Sequence, residues 1–192
     1  MTLIALLTTP EAYRKVQAEI DAFYAERAAP EVGAENIISY SEGKSLLYLQ
    51  GALREALRLW PPPAGLFSKQ VPKGGDTVLG FYLPEGTEVG QSMYGIGRRR
   101  DIWGEDVDIF RPDRWTEASP ERLPVMQAAN DIVFSTGKYL CLGKPVAWME
   151  MIKFFAEVCG APVPWQHLQS NLHRIRCANH PGTPPPIAPE TI

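Results

Sequence analysis

Cys141 is the residue of this sequence best placed to do chemistry, and it lies in the stretch FSTGKYLCLG, from Phe134 to Gly143. Glycines bracket it at Gly137 and Gly143, and an apolar helical pattern follows at once. A thiolate at a helix start is favoured by the positive end of the helix dipole, and the two glycines let the backbone approach a flat cofactor closely. The arrangement suits a sulfur ligand presented to an iron. Two other fates compete with it. A lone thiol is more commonly a small buried core residue, and a cysteine nucleophile would need a histidine base, although His167, His173 and His180 all lie near the end of the chain.

A second constellation is charged. Glu55 and Arg58 stand three apart in EALR, which makes them neighbours on one helical face. Taken alone, such a pair reads as an exposed surface contact contributing a few tenths of a kcal/mol. Further along lies FRPDRW, Phe110 to Trp115, inside a long stretch without periodicity. The three cysteines, Cys141, Cys159 and Cys177, show no CxxC spacing and do not pair evenly, so neither a disulfide framework nor a zinc ribbon is expected. A formal net charge of -3 leaves no basic footprint for nucleic acid.

Helices and turns must position these groups. Thr8 or Thr9, Pro10 and Glu11 make a helix-start signature with a hydroxyl cap, and Tyr13, Val16, Ile20 and Phe23 then form an apolar stripe as far as about Arg27. Residues 28–44 read as a connection. Leu46, Leu49, Leu53, Leu57 and Trp60 predict a second helix, ended by Pro61-Pro62-Pro63. Short strands around Thr77-Val78-Leu79 and Thr87-Glu88-Val89, divided by Gly-rich turns, predict a small sheet. Residues 95–133 are expected to meander without regular structure, pinned by specific contacts. From Pro145, apolar positions at Trp148, Met151 and Phe155 and at Met149, Ile152 and Ala156 predict a helix buried on a broad face.

In that order and at those separations, EALR, FRPDRW and FSTGKYLCLG leading into KPVAWMEMIKFF resemble the carboxy-terminal part of the cytochrome P450 family, the haem-thiolate monooxygenases, with wording closest to fungal microsomal members. The resemblance runs from about Thr2 to Val158. It implies a mainly α fold with small β-sheets (α+β) and a haem cofactor. It makes Cys141 the axial iron ligand, whose thiolate favours cleavage of a bound O–O bond. It joins Arg114 to Glu55 and Arg58 in a three-residue ion network that holds the cysteine loop, and it sets Phe134 beside the sulfur. The implied activity is insertion of one oxygen atom from O2 into an apolar substrate. Electrons would come from an NADPH-dependent reductase at the cytosolic face of the endoplasmic reticulum membrane. Nucleic acid is not an expected partner.

Departures from the family pattern accompany the matches. Where the family carries an arginine or histidine that pairs with a haem propionate, this sequence has Tyr139, a phenol without positive charge. Lys138 and Lys69 are the expected sources of that charge. MTLIALLTTP is too short for a membrane span, so the anchor of full-length family members is not expected in this chain. The distal helix carrying an acid/alcohol pair has no counterpart either. The organisation expected is a partial haem-binding domain over residues 1–158, followed by an atypical Pro-rich, poorly ordered tail over residues 159–192, with seven prolines after Gly160. A truncated non-catalytic piece, or a haem-binding or interaction module, therefore stands beside the monooxygenase expectation.

Overall fold

Pro10 and Glu11 open the first long helix because proline lacks the N–H that a helix start leaves unpaired and glutamate faces the positive dipole end. The computed structural model describes residues 1–27, 37–63 and 65–160, and of Phe67 the backbone only. Residues 28–36 and the Pro-rich stretch after Gly160 lie outside the described residues. Before the long helix α2 (Pro10–Glu26) comes a short one, α1 (Thr2–Thr8), which the sequence did not suggest. Leu6 and Leu7 are buried beside Tyr13, Val16 and Ile20, so packing stabilises α1 despite its length. The expected hydroxyl cap is not made. Thr9 has no side-chain cap bond, and the Thr8 hydroxyl instead donates back to the carbonyls of Ile4 and Ala5, at 2.9 and 3.1 Å.

A further unexpected element lies within the predicted connection. Helix α3 (Tyr40–Gly43) begins with a capping box in which Glu42 N donates to Ser39 Oγ and Ser39 N donates to Glu42 Oε2. Gly43 meets the last helix so closely that a Cβ there would lie 2.3 Å from Ile152 Cγ2.

Helix α4 (Leu47–Leu59) is the predicted leucine-striped helix, and it buries Leu49, Ala52, Leu53, Ala56 and Leu59. Each leucine among them contributes roughly 2 kcal/mol on removal from water. The stripe turns outward at its end, where Leu57 is half-buried and Trp60 exposed. At its other end no local side chain caps the helix. Glu19 of α2 does so instead, accepting from Tyr48 N and Leu49 N at 2.8 and 2.9 Å. Burial pushes the Glu19 pKa up, and these amide bonds partly offset that shift.

The predicted strands form two small antiparallel ladders in place of one sheet. Strand β1 (Leu66–Gln70) pairs with β4 (Glu88–Ser92), and the hairpin of β2 (Asp76–Val78) and β3 (Phe81–Leu83) is inserted between them in sequence. Leu79 belongs to the hairpin turn and not to a strand. With Gly80 it takes positive φ values of 52° and 85°, as two-residue hairpin turns require.

The stretch from 95 to 133 is more regular than expected. It contains α5 (Met93–Ile96) at its edge, α6 (Arg100–Trp103), α7 (Asp113–Thr116) and the ten-residue α8 (Arg122–Asp131). Helix α8 carries no clear apolar period, because its buried face includes the polar Asn130 beside Met126. Trp103, Val107, Trp115 and Met126 gather into a satellite core under these short elements. Helix α9 (Lys144–Gly160) buries Trp148, Ile152, Phe155 and Ala156 as predicted for a broad apolar face, and Cys159 with them, although Met151 is half-buried and Met149 exposed. Burial pushes the Cys159 thiol up to about 12, so it stays protonated in the core. No helix among the described residues is long and apolar enough to cross a membrane.

Removing the cap that α2 lends to α4 tests this packing. Glu19→Ala leaves two helix-start amides without their acceptor and lowers stability by about 1 kcal/mol, read as a reduced midpoint in denaturant unfolding. An unchanged midpoint refutes the role.

Candidate functional site

Helix α4 presents Glu55 and Arg58 on a buried face. Glu55 is 0% exposed and Arg58 2%, which overturns a surface pair and changes the energetic scale of the interaction. An exposed pair contributes a few tenths of a kcal/mol, whereas removing one partner of a buried pair costs about 3–5 kcal/mol. The Glu55 carboxylate accepts from five donors. Oε1 takes Arg58 Nη2 at 2.7 Å, Arg114 Nε at 2.8 Å and Arg111 N at 3.1 Å; Oε2 takes Arg58 Nε and Trp115 Nε1, both at 3.0 Å.

The other guanidinium hydrogens are spent on the aperiodic stretch. Arg58 donates to the carbonyls of Gly97, Val107 and Ile109, at 2.7, 2.5 and 3.1 Å. Arg114 donates to Trp103 O at 2.6 Å and to both the side chain and the carbonyl of Asp106. Burial alone would lower the Arg114 pKa, but the Glu55 carboxylate and Asp106 hold it above the ordinary arginine value. Asp106 balances the second positive charge, and Arg114 and Arg111 keep its carboxyl below the usual range against the opposing effect of burial. The structure thus brings together the three charged residues expected to form one network. Arg111 N, the Trp115 indole and Asp106 join them. Trp115 and Arg111 belong to FRPDRW, so that motif contained the missing signal, but an isolated Asp106 did not.

The Cys141 loop runs from a 3-10 turn at Ile132–Phe134, through a second at Gly137–Tyr139, into α9. Gly137 has φ +59°, which a glycine adopts without strain. Ser135 has φ +62° and ψ -174°, a region nearly closed to residues with a Cβ, and it is buried. Cys141 N donates to Phe134 O at 2.8 Å, and Cys141 O accepts from Lys144 N at 3.2 Å, closing the loop onto the helix start. Gly143 is not required by a positive φ; a Cβ there would lie 3.7 Å from Cys141 Sγ.

Of the two cysteines among the described residues, Cys141 is exposed and Cys159 buried, so the core fate belongs to Cys159 and not to Cys141. Leu140 and Leu142, which flank Cys141 in sequence, are exposed and apolar, as are Val146 and Met149 on one flank of α9, whereas Lys138 and Tyr139 of the same loop are exposed and polar. Among the described residues no group of three or more His, Cys, Asp and Glu side chains could hold a metal ion. A single thiol with apolar neighbours fits a metal whose other ligands come from a flat macrocycle, as in haem, better than a protein-caged ion. The three residues expected at propionates also meet. Lys69 Nζ, on β1, lies 4.7 Å from the centroid of the exposed Tyr139 ring, and Lys138 Nζ lies 4.9 Å from it. Phe134 packs against Trp148, with ring centroids 6.5 Å apart. The three histidines that a cysteine hydrolase would need lie outside the described residues.

Comparison with known proteins matches the same span. Over 157 residues the chain is 43% identical to the cytochrome P450 monooxygenase ABA1 of Pyricularia oryzae, covering 82% of this chain and 30% of that protein. It is 33% identical over 160 residues to the cytochrome P450 monooxygenase aba1 of Botryotinia fuckeliana, covering 83% of this chain and 30% of the relative. The cytochrome P450 monooxygenase abl1 of Leptosphaeria maculans is 35% identical over 155 residues, covering 81% and 26% respectively. The chain therefore spans about a third of the length of these curated relatives. The family model for cytochrome P450 matches residues 1–159, and with the ion network and cysteine loop already in view, the chain belongs to the cytochrome P450 family.

Proposed function

We propose that this chain is the thiolate-bearing part of a haem monooxygenase, with Cys141 as the axial iron ligand. The observation that carries the proposal is the exposed Cys141 thiol, set in a backbone-closed loop at the start of α9 and flanked in sequence by the exposed Leu140 and Leu142. When bound, the haem supplies the oxygen-activating chemistry by which one atom of O2 enters an apolar organic substrate. The chain's own residues hold and orient. Leu140, Leu142, Val146 and Met149 offer an apolar surface for a macrocycle, and Phe134, whose carbonyl accepts from Cys141 N, stands on the same loop as the sulfur. Tyr139 donates one hydrogen bond to a propionate, while Lys138 and Lys69 supply the charge that its phenol lacks. Gly137 keeps a side chain away from the approach side of the loop. Electrons come from an NADPH-dependent reductase, and the whole protein works at the cytosolic face of the endoplasmic reticulum membrane. Exposed Leu66, just beyond the proline run, offers an apolar contact for substrate.

Two experiments test the ligand and its support. The chain is loaded with haem, reduced and exposed to carbon monoxide. A red-shifted thiolate-type absorption band is expected, and Cys141→Ser abolishes it; a band that survives the substitution removes Cys141 as the ligand. Glu55→Gln leaves the Arg58 and Arg114 guanidiniums facing a neutral amide, so stability falls by about 3–5 kcal/mol in denaturant unfolding and haem is not incorporated. Wild-type stability with normal haem uptake would exclude the network from this role.

A further inference from the structure

The residue immediately before Glu55 lies outside the family network described above, and its contacts run the other way. Successive residues on a helix are about 100° apart, so α4 can aim Arg54 and Glu55 at different neighbours. Glu55 holds the FRPDRW segment. The guanidinium of Arg54 lies 5.7 Å from the Trp115 ring and 4.9 Å from the Trp148 ring, between the satellite core and α9. Its Nη1 donates to Asp131 Oδ1 at 3.2 Å, at the last residue of α8. Lys144, the first residue of α9, donates from Nζ to the other Asp131 oxygen at 2.9 Å. The Lys144 ammonium also lies 5.5 Å from the centroid of the Phe134 ring. Asn130 Nδ2 adds a bond to Arg54 O at 3.0 Å, fixing α8 to the backbone of α4.

These contacts enclose both ends of the cysteine loop. Asp131 immediately precedes the 3-10 turn that ends at Phe134, and Lys144 follows Gly143. The two loop ends are thus joined by one carboxylate, which is itself held to α4 by Arg54. Trp115 belongs to both arrangements, since its indole N–H bonds Glu55 and its ring faces Arg54. Arg54, Asp131 and Lys144 side chains are 19%, 32% and 27% exposed, so the pairs are partly shielded from solvent screening and offer more than surface contacts.

We propose that Arg54, Asp131 and Lys144 form a second ionic brace that positions the Cys141 loop against α4, with Trp115 coupling it to the Glu55 network. The proposal rests on the reading of Cys141 as the ligand only for its purpose; the brace itself belongs to this chain without haem. These are positioning residues, and none touches the reacting atoms.

Hydrogen exchange on the full 192-residue chain, without added haem, is the test. Asp131→Ala leaves two cations without their shared anion, and amides of residues 132–144, including Cys141 N, exchange about tenfold faster while those of α2 and of the middle of α4 are unchanged. Asp131→Glu restores most of the protection. Arg54→Gln has the same kind of local effect, and the double variant Arg54→Gln with Asp131→Ala accelerates exchange by less than the product of the two single effects, because the two share one ion pair. Unchanged exchange at 132–144 overturns the proposal, as does equal acceleration through α2 and α4, which would mark Asp131 as a support of the whole unit. Additive effects of the two substitutions overturn it too. A failure here leaves the Cys141 ligand assignment standing, and loss of that assignment in the carbon monoxide test leaves the brace standing.

Discussion

The structure depends on one carboxylate that has no access to water. A glutamate taken out of solvent loses its hydration, and the loss is tolerable only if protein donors replace it fully. Glu55 meets that requirement with five donors drawn from α4, the backbone of Arg111 and the side chains of Arg114 and Trp115. The two guanidiniums bring one positive charge too many, and Asp106 supplies the compensation. Their remaining donors are satisfied by carbonyls of Gly97, Trp103, Asp106, Val107 and Ile109. The segment is thereby given a fixed path, because any other path would leave buried guanidinium hydrogens unpaired. Gly97 shows how tight that path is: a Cβ there would lie 2.2 Å from Arg58 O.

Arginine is essential to this economy of contacts. Its planar fork makes two parallel bonds to Glu55 from Arg58 and still reaches three separate carbonyls. A lysine at either position could carry the charge but not the geometry. The same distinction explains the modest design at Tyr139, where Lys69 and Lys138 flank an aromatic ring with point charges and make no directed fork. Buried electrostatics here fix the chain; exposed electrostatics leave side chains available to a ligand.

Legibility in the sequence followed the kind of force involved. Apolar periodicity revealed α2, α4 and α9, since each turns a long hydrophobic stripe toward the core, and turn residues located the strands. Periodicity could not reveal α1, whose single pair of turns depends on burying Leu6 and Leu7. Nor could it reveal α8, which buries Asn130 so that its side chain can hold Arg54 O. Ser39 and Glu42 did carry a capping-box spacing, yet four residues of helix have no period to support it. The burial of Glu55 and Arg58 was invisible for a different reason. An i,i+3 pair looks the same exposed or buried, and what decides is the arrival of Arg111, Arg114 and Trp115 from more than fifty residues away. Only the likeness of the ordered motifs to a family supplied that long-range information.

The cysteine loop itself is held more by its ends than by its own packing. Gly137, Lys138, Tyr139, Leu140, Cys141 and Leu142 are all exposed, so hydrophobic burial contributes little to their order. Ser135 adds a cost on the order of 1–3 kcal/mol through its positive φ, unless the surroundings leave no alternative. What opposes that cost is closure. Cys141 N returns to Phe134 O, Lys144 N reaches Cys141 O, and Phe134 is packed against Trp148. A loop so closed ties the backbone of Cys141 to Phe134 and to the start of α9 while its side chain stays exposed. If Cys141 meets a planar partner as proposed, that combination matters: a backbone ordered before binding leaves less conformational entropy to be lost on contact.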